Sequence, residues 1–267
     1  MTNASYSAGV IFDIKEFALH DGPGVRTTVF FKGCPLRCVW CHNPEGLSSK
    51  PQLMTKETRC LHCGKCAGPC SHEECRPFGR CIYACPEALI SICGREITAD
   101  DLFARLMKDA CFLAESEGGI TFSGGEPLMQ HEFLCEMLDR LKEAGVHTAI
   151  ETCGHAQPEI FRKAAGKADL VIMDLKIADD ALHRKYTGVG NGWILMNAAW
   201  LKTSGKAHIF RTPLIPGITD TEENLAAIKA IAGGSEHELL PYNELAGAKY
   251  PMLGEKFPYE SIERSKN

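Results

Sequence analysis

The chain has 267 residues, 45% of them hydrophobic and 24% charged, which suits one large α/β domain or two smaller domains. Its formal net charge of -5 provides no basic surplus for phosphates, so we expect neither nucleic acid nor a membrane as a partner. No apolar run reaches the roughly 18 residues of a membrane span, and the start, MTNASYSAG, lacks the basic and apolar regions of a signal peptide. These features predict a cytoplasmic protein.

Short apolar segments rich in β-branched and aromatic residues predict strands, and apolar positions repeating every three or four residues predict helices. Thr98 and Asp101 are spaced as a capping box before the first helix. In chain order the predicted elements are strand 25–31, helix 102–113, strand 119–122, helix 133–141, strands 148–151, 170–173 and 208–212, helix 224–232 and strand 238–240. Recurrent β-then-α units favour a parallel sheet, either open or curled into a full or partial barrel.

The stretch from about Lys50 to Arg95 interrupts this alternation, because it is dense in Cys, Gly, Pro and charge and has no long apolar period. We therefore predict an inserted domain over residues 51–95, with residues 1–50 and 96–267 forming the α/β domain. A segment of this size buries little apolar surface, so bound metal would have to stabilise it.

The chain contains 14 cysteines, more than packing requires, and a reducing cytosol would not keep them as disulfides. They fall into one group over residues 34–41 and a second over residues 60–93, which indicates metal binding. Cys111, Cys135 and Cys153 stand apart, and we expect them to be small buried or half-buried side chains.

The first group lies in KGCPLRCVWCHNPEG, directly after the first predicted strand, where Cys34, Cys38 and Cys41 have CxxxCxxC spacing. Three close thiolates can share one iron–sulfur cluster and leave one iron without a protein ligand, which marks a reactive site. On spacing alone, a zinc site with His42 as the fourth ligand is the alternative.

The CxxxCxxC loop, followed by TFSGGEP at residues 121–127, resembles the radical S-adenosylmethionine (SAM) superfamily. Longer segments resemble its branch of glycyl radical enzyme activating enzymes: ALHDGPGVRTTVFFKGCPLRCVWCHNPE, IETCG, MDLKIADDALHRKYTGVGN and LLPYNELAGAKY. The resemblance covers most of the chain. It implies an α/β fold, a partial (β/α)6 barrel of the TIM type, with a small ferredoxin-like insert. Since only 17 residues follow Tyr250, the family's last helix should be shortened or absent.

The resemblance also implies a site. Cys34, Cys38 and Cys41 would hold a 4Fe-4S cluster whose open iron is chelated by the amino and carboxylate groups of SAM. The other residues expected around SAM, and around a monovalent cation beside its ribose and carboxylate, are Trp40, His42, Gly124, Gly125, Glu126, Glu151, Thr152, Asp174, Leu175, Lys176, Arg211 and Asn243. Asn243 stands where the pyruvate formate-lyase type has histidine. Independently of the family, these groups follow successive predicted strands, and parallel β/α barrels build their sites at that edge.

The activity implied by the resemblance is reductive cleavage of SAM to a 5'-deoxyadenosyl radical, which takes a hydrogen atom from a glycine Cα of a partner glycyl radical enzyme. Flavodoxin or ferredoxin would donate the electron, and we expect a monomer. One alternative is a radical SAM enzyme that acts on a small substrate. Another is a ferredoxin-like electron carrier or metal-stabilised binding module, but a carrier would not need GGEP, ETCG and DLK at successive strand ends.

Within the insert, CLHCGKCAGPC has ferredoxin-like spacing, and in two-cluster ferredoxins the fourth cysteine of each run serves the other cluster. One auxiliary cluster would then take Cys60, Cys63, Cys66 and Cys85. A second would take Cys70, Cys75 and Cys81, but Phe78 stands at the remaining position, and Cys93 is the expected replacement. The spacing leaves one or two auxiliary 4Fe-4S clusters open, with zinc as a weaker alternative. Electron relay is the expected task, although a structural or docking role also fits.

Overall fold

The computed structural model describes residues 7–260. Its strands are β1 (Ala8–Ala18), β2 (Arg26–Phe31), β3 (Gln52–Thr55), β4 (Ile90–Cys93), β5 (Arg95–Thr98), β6 (Gly119–Gly124), β7 (Thr148–Thr152), β8 (Leu170–Asp174), β9 (His208–Pro213) and β10 (His237–Leu240). Its α-helices are α1 (Ala99–Leu106), α2 (Ala110–Glu115), α3 (His131–Glu143), α4 (Pro158–Lys167), α5 (Asp180–Thr187), α6 (Gly192–Ser204) and α7 (Glu222–Ala232).

The main sheet has eight strands in the order β10-β9-β8-β7-β6-β2-β1-β5. Strands β2 and β6 to β10 are all parallel, whereas β1 is antiparallel to both β2 and β5. The six predicted strands and the predicted α/β class are therefore confirmed. Because β10 and β5 are the two outer strands, the sheet is open, and the carboxyl ends of its six parallel strands lie at one edge.

Strands β1 and β5, which the sequence did not predict, extend the sheet beyond β2. Irregular register between Ile11 and Asp13, and again between Lys15 and Ala18, interrupts the alternation of β1. This interruption hides the period of two that identifies a half-buried strand.

The predicted helix 102–113 is divided in two. A 3₁₀ turn over Met107–Asp109 separates α1 from α2, and Asp109 has φ -106° and ψ 6°, outside the helical region. The predicted start is confirmed, since the Thr98 hydroxyl accepts a hydrogen bond from Asp101 N at 3.1 Å. The apolar period therefore covers two short helices.

The core lies between the sheet and its helices. Phe31 of β2 packs edge-on against Phe122 of β6 and Phe133 of α3, with ring centroids 5.8 and 6.0 Å apart. Such aromatic pairs contribute about 0.5–1.5 kcal/mol each beyond the area that they bury. A second, smaller apolar cluster forms at the carboxyl edge of the sheet and includes Leu36, Cys38 and Trp40.

Residues 51–95 contain a two-stranded antiparallel sheet in which β3 pairs with β4, from Gln52 opposite Cys93 to Thr55 opposite Ile90. Between these strands most side chains are exposed, and the regular structure consists of short 3₁₀ turns at 57–59, 65–67 and 73–78. The side-chain hydrogen bonds and ion pairs of residues 56–89 all lie within residues 55–89. Because most of its side chains are exposed, burial of apolar surface contributes little to the stability of this segment.

At the carboxyl terminus, residues 258–260 are helical. The predicted shortening of the last helix concerns residues after 260, which lie outside the described part of the chain. Within the described part, no helix combines the length and apolar character needed to cross a membrane.

Candidate active site

The CxxxCxxC loop leaves β2 through Gly33, whose φ of +94° favours glycine. Two backbone hydrogen bonds then hold the loop against the end of α5: Arg37 N donates to Thr187 O at 2.7 Å and Val39 N donates to Tyr186 O at 3.0 Å. The protein backbone thus holds the loop at both ends without a bound ligand.

The three thiols of this loop lie in the smaller apolar cluster, together with Trp40 and Cys153. Burial raises the pKa of Cys38, and it raises the pKa of Cys41 to about 11. A hydrogen bond with the Cys153 thiol lowers the pKa of Cys34 and raises that of Cys153. Thiolates at this depth require a compensating positive charge, which bound iron supplies. The donor set therefore fits an iron–sulfur cluster.

The zinc alternative would place these thiols and His42 around one ion, but His42 is exposed. Among residues 7–260, only one group of three or more His, Cys, Asp or Glu ligand atoms is compact enough for a single ion, and it lies in the insert. The geometry of the loop thus favours a cluster over a single zinc ion.

Gly124 is the last residue of β6, and Gly125 follows it. Both glycines pack directly against the end of β2 and the cysteine loop. A Cβ at Gly124 would lie 2.3 Å from Phe31 N, and one at Gly125 would lie 2.3 Å from the carbonyl oxygens of Gly33 and Gly46. Only glycine fits at either position, because the contacting atoms belong to the backbone. Gly125 N also donates to Phe31 O at 2.8 Å.

Glu126 is fully buried at the same edge. Its Oε1 accepts hydrogen bonds from Leu128 N at 3.0 Å and Thr152 Oγ1 at 2.8 Å, and its Oε2 accepts one from Cys153 N at 2.7 Å. Its backbone N donates to Gly33 O at 2.7 Å. Burial raises the pKa of this carboxyl group. The GGE segment therefore joins the cysteine loop to the end of β7.

A row of charged side chains crosses the edge from β7 to β10. The register places Arg211 opposite Asp174 on one side and Glu238 on the other. Arg211 is 5% exposed and donates to Glu238 Oε2 at 2.7 Å, Glu151 Oε1 at 3.1 Å and His20 O at 2.8 Å. Burial raises the pKa of Glu151, which also accepts a hydrogen bond from the Ser123 hydroxyl.

Lys176 forms an ion pair with Asp174 and is a cation close to the cysteines of the loop. Burial disfavours its charged form, but Asp174, Cys38 and Cys153 raise its pKa above the ordinary value. Leu175, between the two, is 1% exposed and belongs to the main core. Its backbone N donates to Arg211 O at 2.8 Å, so Leu175 positions its neighbours through the backbone.

Asn243 is exposed, and its Oδ1 accepts a hydrogen bond from Leu245 N at 3.0 Å, which holds the turn after β10. Within the same LPYNELAGAKY segment, Lys249 pairs with Glu45 at 2.5 Å and donates to Asn43 Oδ1 at 3.3 Å. Lys249, and not Asn243, is therefore the residue of this segment that contacts the chain after the cysteine loop.

Several side chains of this site were missed by the sequence analysis. They are Ser123 and Glu238 in the charged row, Cys153 against Cys34, and Glu45 and Lys249 beside the cysteine loop. Cys153 directly follows Thr152 in ETCG, which was the available signal. The other contacts join residues far apart in the chain, and no local spacing indicates them.

In the insert, one cavity is lined by Cys60, Cys63, Cys66 and Cys85, the four cysteines that the spacing assigns to one auxiliary cluster. Three hydrogen bonds point at these sulfurs: His62 N to Cys60 at 3.4 Å, Arg80 Nη2 to Cys66 at 3.3 Å and Leu89 N to Cys85 at 3.5 Å. Donors of this kind stabilise thiolates and sulfur ligands. The donor set fits an auxiliary 4Fe-4S cluster.

Cys70, Cys75 and Cys81 also come together, but their fourth neighbour is His72. Cys93 lies elsewhere, on β4 opposite Gln52, with 6% exposure and with Lys32 and Glu45 as its charged neighbours. The sequence analysis missed His72, although its position between Cys70 and Cys75 gives a spacing that metal ligands use.

The chain belongs to the radical SAM superfamily, whose sequence model matches residues 28–227, from within β2 to within α7. It is 38% identical over 275 residues to the choline trimethylamine-lyase activating enzyme of Oleidesulfovibrio alaskensis, a match that covers 94% of this chain and 89% of that protein. Its identity to the 4-hydroxyphenylacetate decarboxylase activating enzyme of Clostridioides difficile is 36% over 285 residues, covering 97% and 90%. Within the superfamily, the chain is a member of the glycyl radical enzyme activating enzymes.

Among solved structures, the crystal structure of Streptococcus suis SuiB bound to precursor peptide SuiA has a TM-score of 0.51 and 14% identity to this chain. The match covers 92% of this chain and 46% of that one. At this identity the likeness shows the shared fold alone.

Proposed function

We propose that this protein cleaves SAM reductively and takes a hydrogen atom from a glycine Cα of a partner glycyl radical enzyme. The observation that carries the proposal is the set of buried Cys38 and half-buried Cys34 and Cys41 beside Lys176, at the edge where six parallel strands end. When bound there, a 4Fe-4S cluster and SAM supply the one-electron cleavage of the C5'–S bond and the hydrogen abstraction.

In this proposal the three cysteines hold the cluster, and the Lys176 ammonium compensates the charge of their thiolates. Glu151 and Asp174 keep part of their side chains exposed, 25% and 23%, so we assign them to the ribose hydroxyls and a monovalent cation. Arg211 orients Glu151 and favours the carboxylate of SAM electrostatically. The remaining proposed contacts of SAM are Trp40, His42, Gly124, Gly125, Glu126, Thr152, Leu175 and Asn243.

The proposal treats residues 51–95 as an inserted domain that relays electrons. Its 4Fe-4S cluster would be held by Cys60, Cys63, Cys66 and Cys85, and the cavity lined by these side chains supports the assignment. Flavodoxin or ferredoxin is the proposed donor to a monomeric, cytoplasmic enzyme. The two relatives above are named for different lyase and decarboxylase partners at nearly equal identity, so identity does not select the partner of this chain.

The first test is 5'-deoxyadenosine formation from SAM by anaerobically reconstituted, dithionite-reduced protein. The triple variant Cys34→Ala, Cys38→Ala, Cys41→Ala should form none while keeping the iron of the insert. Cys111→Ala is the matched control, because Cys111 is far from both cysteine groups in sequence and is exposed, contrary to the expected burial of this side chain. Wild-type rates in the triple variant would show that the site is wrongly assigned.

The second test concerns the partner. A glycyl radical enzyme from the same organism, if it is the partner, should acquire a glycyl radical signal in electron paramagnetic resonance when mixed with the reduced protein and SAM. Formation of 5'-deoxyadenosine without a protein radical would reject that partner and leave SAM cleavage in place.

A further inference from the structure

The second cysteine set of the insert is unusually compact. Cys70 Sγ, His72 Nδ1, Cys75 Sγ and Cys81 Sγ all lie within 4.8 Å of one another, and no other set of such ligand atoms in residues 7–260 is as close. Cys75 and Cys81 are 2% and 5% exposed. Cys70 is half-buried and His72 is exposed, so the set combines four donors at the boundary between the interior of the insert and its surface.

These distances fit four ligands around a single ion. With zinc bond lengths of about 2.3 Å to sulfur and about 2.0 Å to nitrogen, ligand atoms of a tetrahedral site lie about 3.5–3.8 Å apart. His72 Nδ1 lies 3.2 Å from Cys70 Sγ and 3.7 Å from Cys81 Sγ. A 4Fe-4S cluster bonds each ligand to a different iron atom and therefore spaces its ligands more widely.

The two cysteine sets of the insert differ in how closely their ligand atoms are spaced. Cys60, Cys63, Cys66 and Cys85 surround a cavity and do not form a compact group, as expected for ligands of a polynuclear cluster. The second set has no cysteine where ferredoxin spacing requires one, since Phe78 occupies that position. A histidine from a different position completes it instead.

His72 is held in place by its own neighbours. Its ring lies against Tyr83, with centroids 4.5 Å apart, and the Tyr83 hydroxyl donates to Glu74 Oε1 at 2.8 Å. The carbonyl oxygen of His72 accepts a hydrogen bond from Cys75 N at 3.2 Å. The ring contact and the backbone hydrogen bond restrict the position of His72 beside the three cysteines.

We propose that Cys70, His72, Cys75 and Cys81 bind one Zn²⁺ ion in a closed tetrahedral site. Four protein ligands with no open position are typical of a structural site. Cys81 N donates to Cys66 O at 2.8 Å, so the site also fixes the chain that carries the other cysteine set. Metal binding would supply folding free energy that this exposed segment lacks. The proposal is independent of the activity proposed above.

The test is metal analysis of protein purified anaerobically from cells supplied with iron and zinc. Wild type should contain one zinc per chain and about eight irons, four for each of two clusters. His72→Ala should lose the zinc and keep the iron, whereas His72→Cys should keep both, because thiolate is also a zinc ligand. His62→Asn is the control: His62 has φ +49°, a conformation that asparagine tolerates, and it lies outside the compact group.

Cobalt substitution provides a second readout. Co²⁺ added to zinc-depleted protein should give the absorption bands of a tetrahedral site with sulfur ligands, and His72→Cys should shift them. About twelve irons without zinc in wild type, or a full zinc content in His72→Ala, would overturn the proposal. Zinc present in protein that does not cleave SAM would reject the proposed activity and leave the zinc site standing.

Discussion

At the scale of single residues, Glu126 is a buried carboxyl group near the cysteine loop that depends on several hydrogen-bond donors. Its two carboxylate oxygens accept three hydrogen bonds in a position without solvent exposure. A buried acceptor of this kind is stabilising only while every donor around it is satisfied. Its structural role is therefore independent of any contact with SAM.

We expect Glu126→Gln to lower the free energy of unfolding by about 1–3 kcal/mol, or the thermal midpoint by roughly 2–10 °C. The amide group of glutamine cannot accept hydrogen bonds on both sides, so at least one of the donors Leu128 N, Thr152 Oγ1 and Cys153 N loses its partner. Thermal unfolding of the reconstituted protein measures the effect. Glu132→Gln, at an exposed position of α3, should leave the midpoint unchanged, and equal midpoints for both variants would refute the prediction.

Substitution of Arg211 tests whether the charged row from β7 to β10 contributes to SAM binding. Lysine retains the charge but offers one nitrogen where the guanidinium uses three, so Arg211→Lys cannot reach all three acceptors in their present positions. We expect SAM to bind at least about tenfold more weakly, which corresponds to about 1.4 kcal/mol. Equilibrium binding to the reconstituted protein measures this, with the exposed Arg162→Lys on α4 as control. An affinity equal to that of the control would contradict the role of Arg211.

At the scale of elements, the end of α5 is the support of the cysteine loop. Thr187 and Tyr186 offer their carbonyl oxygens to Arg37 N and Val39 N, and Gly188 ends the helix with φ +82°. This arrangement explains why a helix far along the chain belongs to the active site. Gly205 ends α6 in a similar conformation, with φ +72°, so Gly188 and Gly205 can be compared as matched substitution sites.

We expect Gly188→Ala and Gly205→Ala to lose similar stability, about 1–2 kcal/mol each, because both force alanine into the left-handed conformation. Only Gly188→Ala should reduce SAM cleavage, by about tenfold, because strain at the end of α5 would displace the carbonyl oxygens of Tyr186 and Thr187 that hold the cysteine loop. The rate of 5'-deoxyadenosine formation distinguishes them. Equal rates in the two variants would show that α5 does not position the loop.

At the scale of the whole molecule, residues 56–89 stand apart, because their side-chain hydrogen bonds and ion pairs lie within residues 55–89. Thr55 and Ile90 are paired across β3 and β4, and Lys56 N donates to Leu89 O at 2.9 Å, so the two ends of the segment meet. A two-residue Asn-Gly turn can replace residues 56–89, because such turns connect antiparallel strands.

This shortened chain should fold, bind about four irons and cleave SAM with dithionite at a rate similar to that of the full chain. Reduction by a protein donor should be slower, because the proposed relay is missing. The rates with the two reductants, measured on both proteins, check this expectation. Loss of SAM cleavage with dithionite would mean that the α/β domain depends on the insert for its structure.

The sequence determined the features that depend on local pattern. Short apolar segments rich in β-branched and aromatic residues located the six parallel strands, and the spacing of Cys34, Cys38 and Cys41 indicated the loop that we propose as the cluster site. Ferredoxin spacing also identified the four cysteines that line the cavity of the insert. Each of these signals is contained in a few consecutive residues, so the chain reveals them without its fold.

The tertiary structure decided the features that depend on contacts between distant residues. It brought the end of α5 to Arg37, the carbonyl of His20 to Arg211, and the thiol of Cys153 to Cys34. It also placed His72, and not Cys93, beside Cys70 and Cys75. Residues that are separated in the chain meet only when the strands and loops pack, and no spacing rule encodes which of them will share a site.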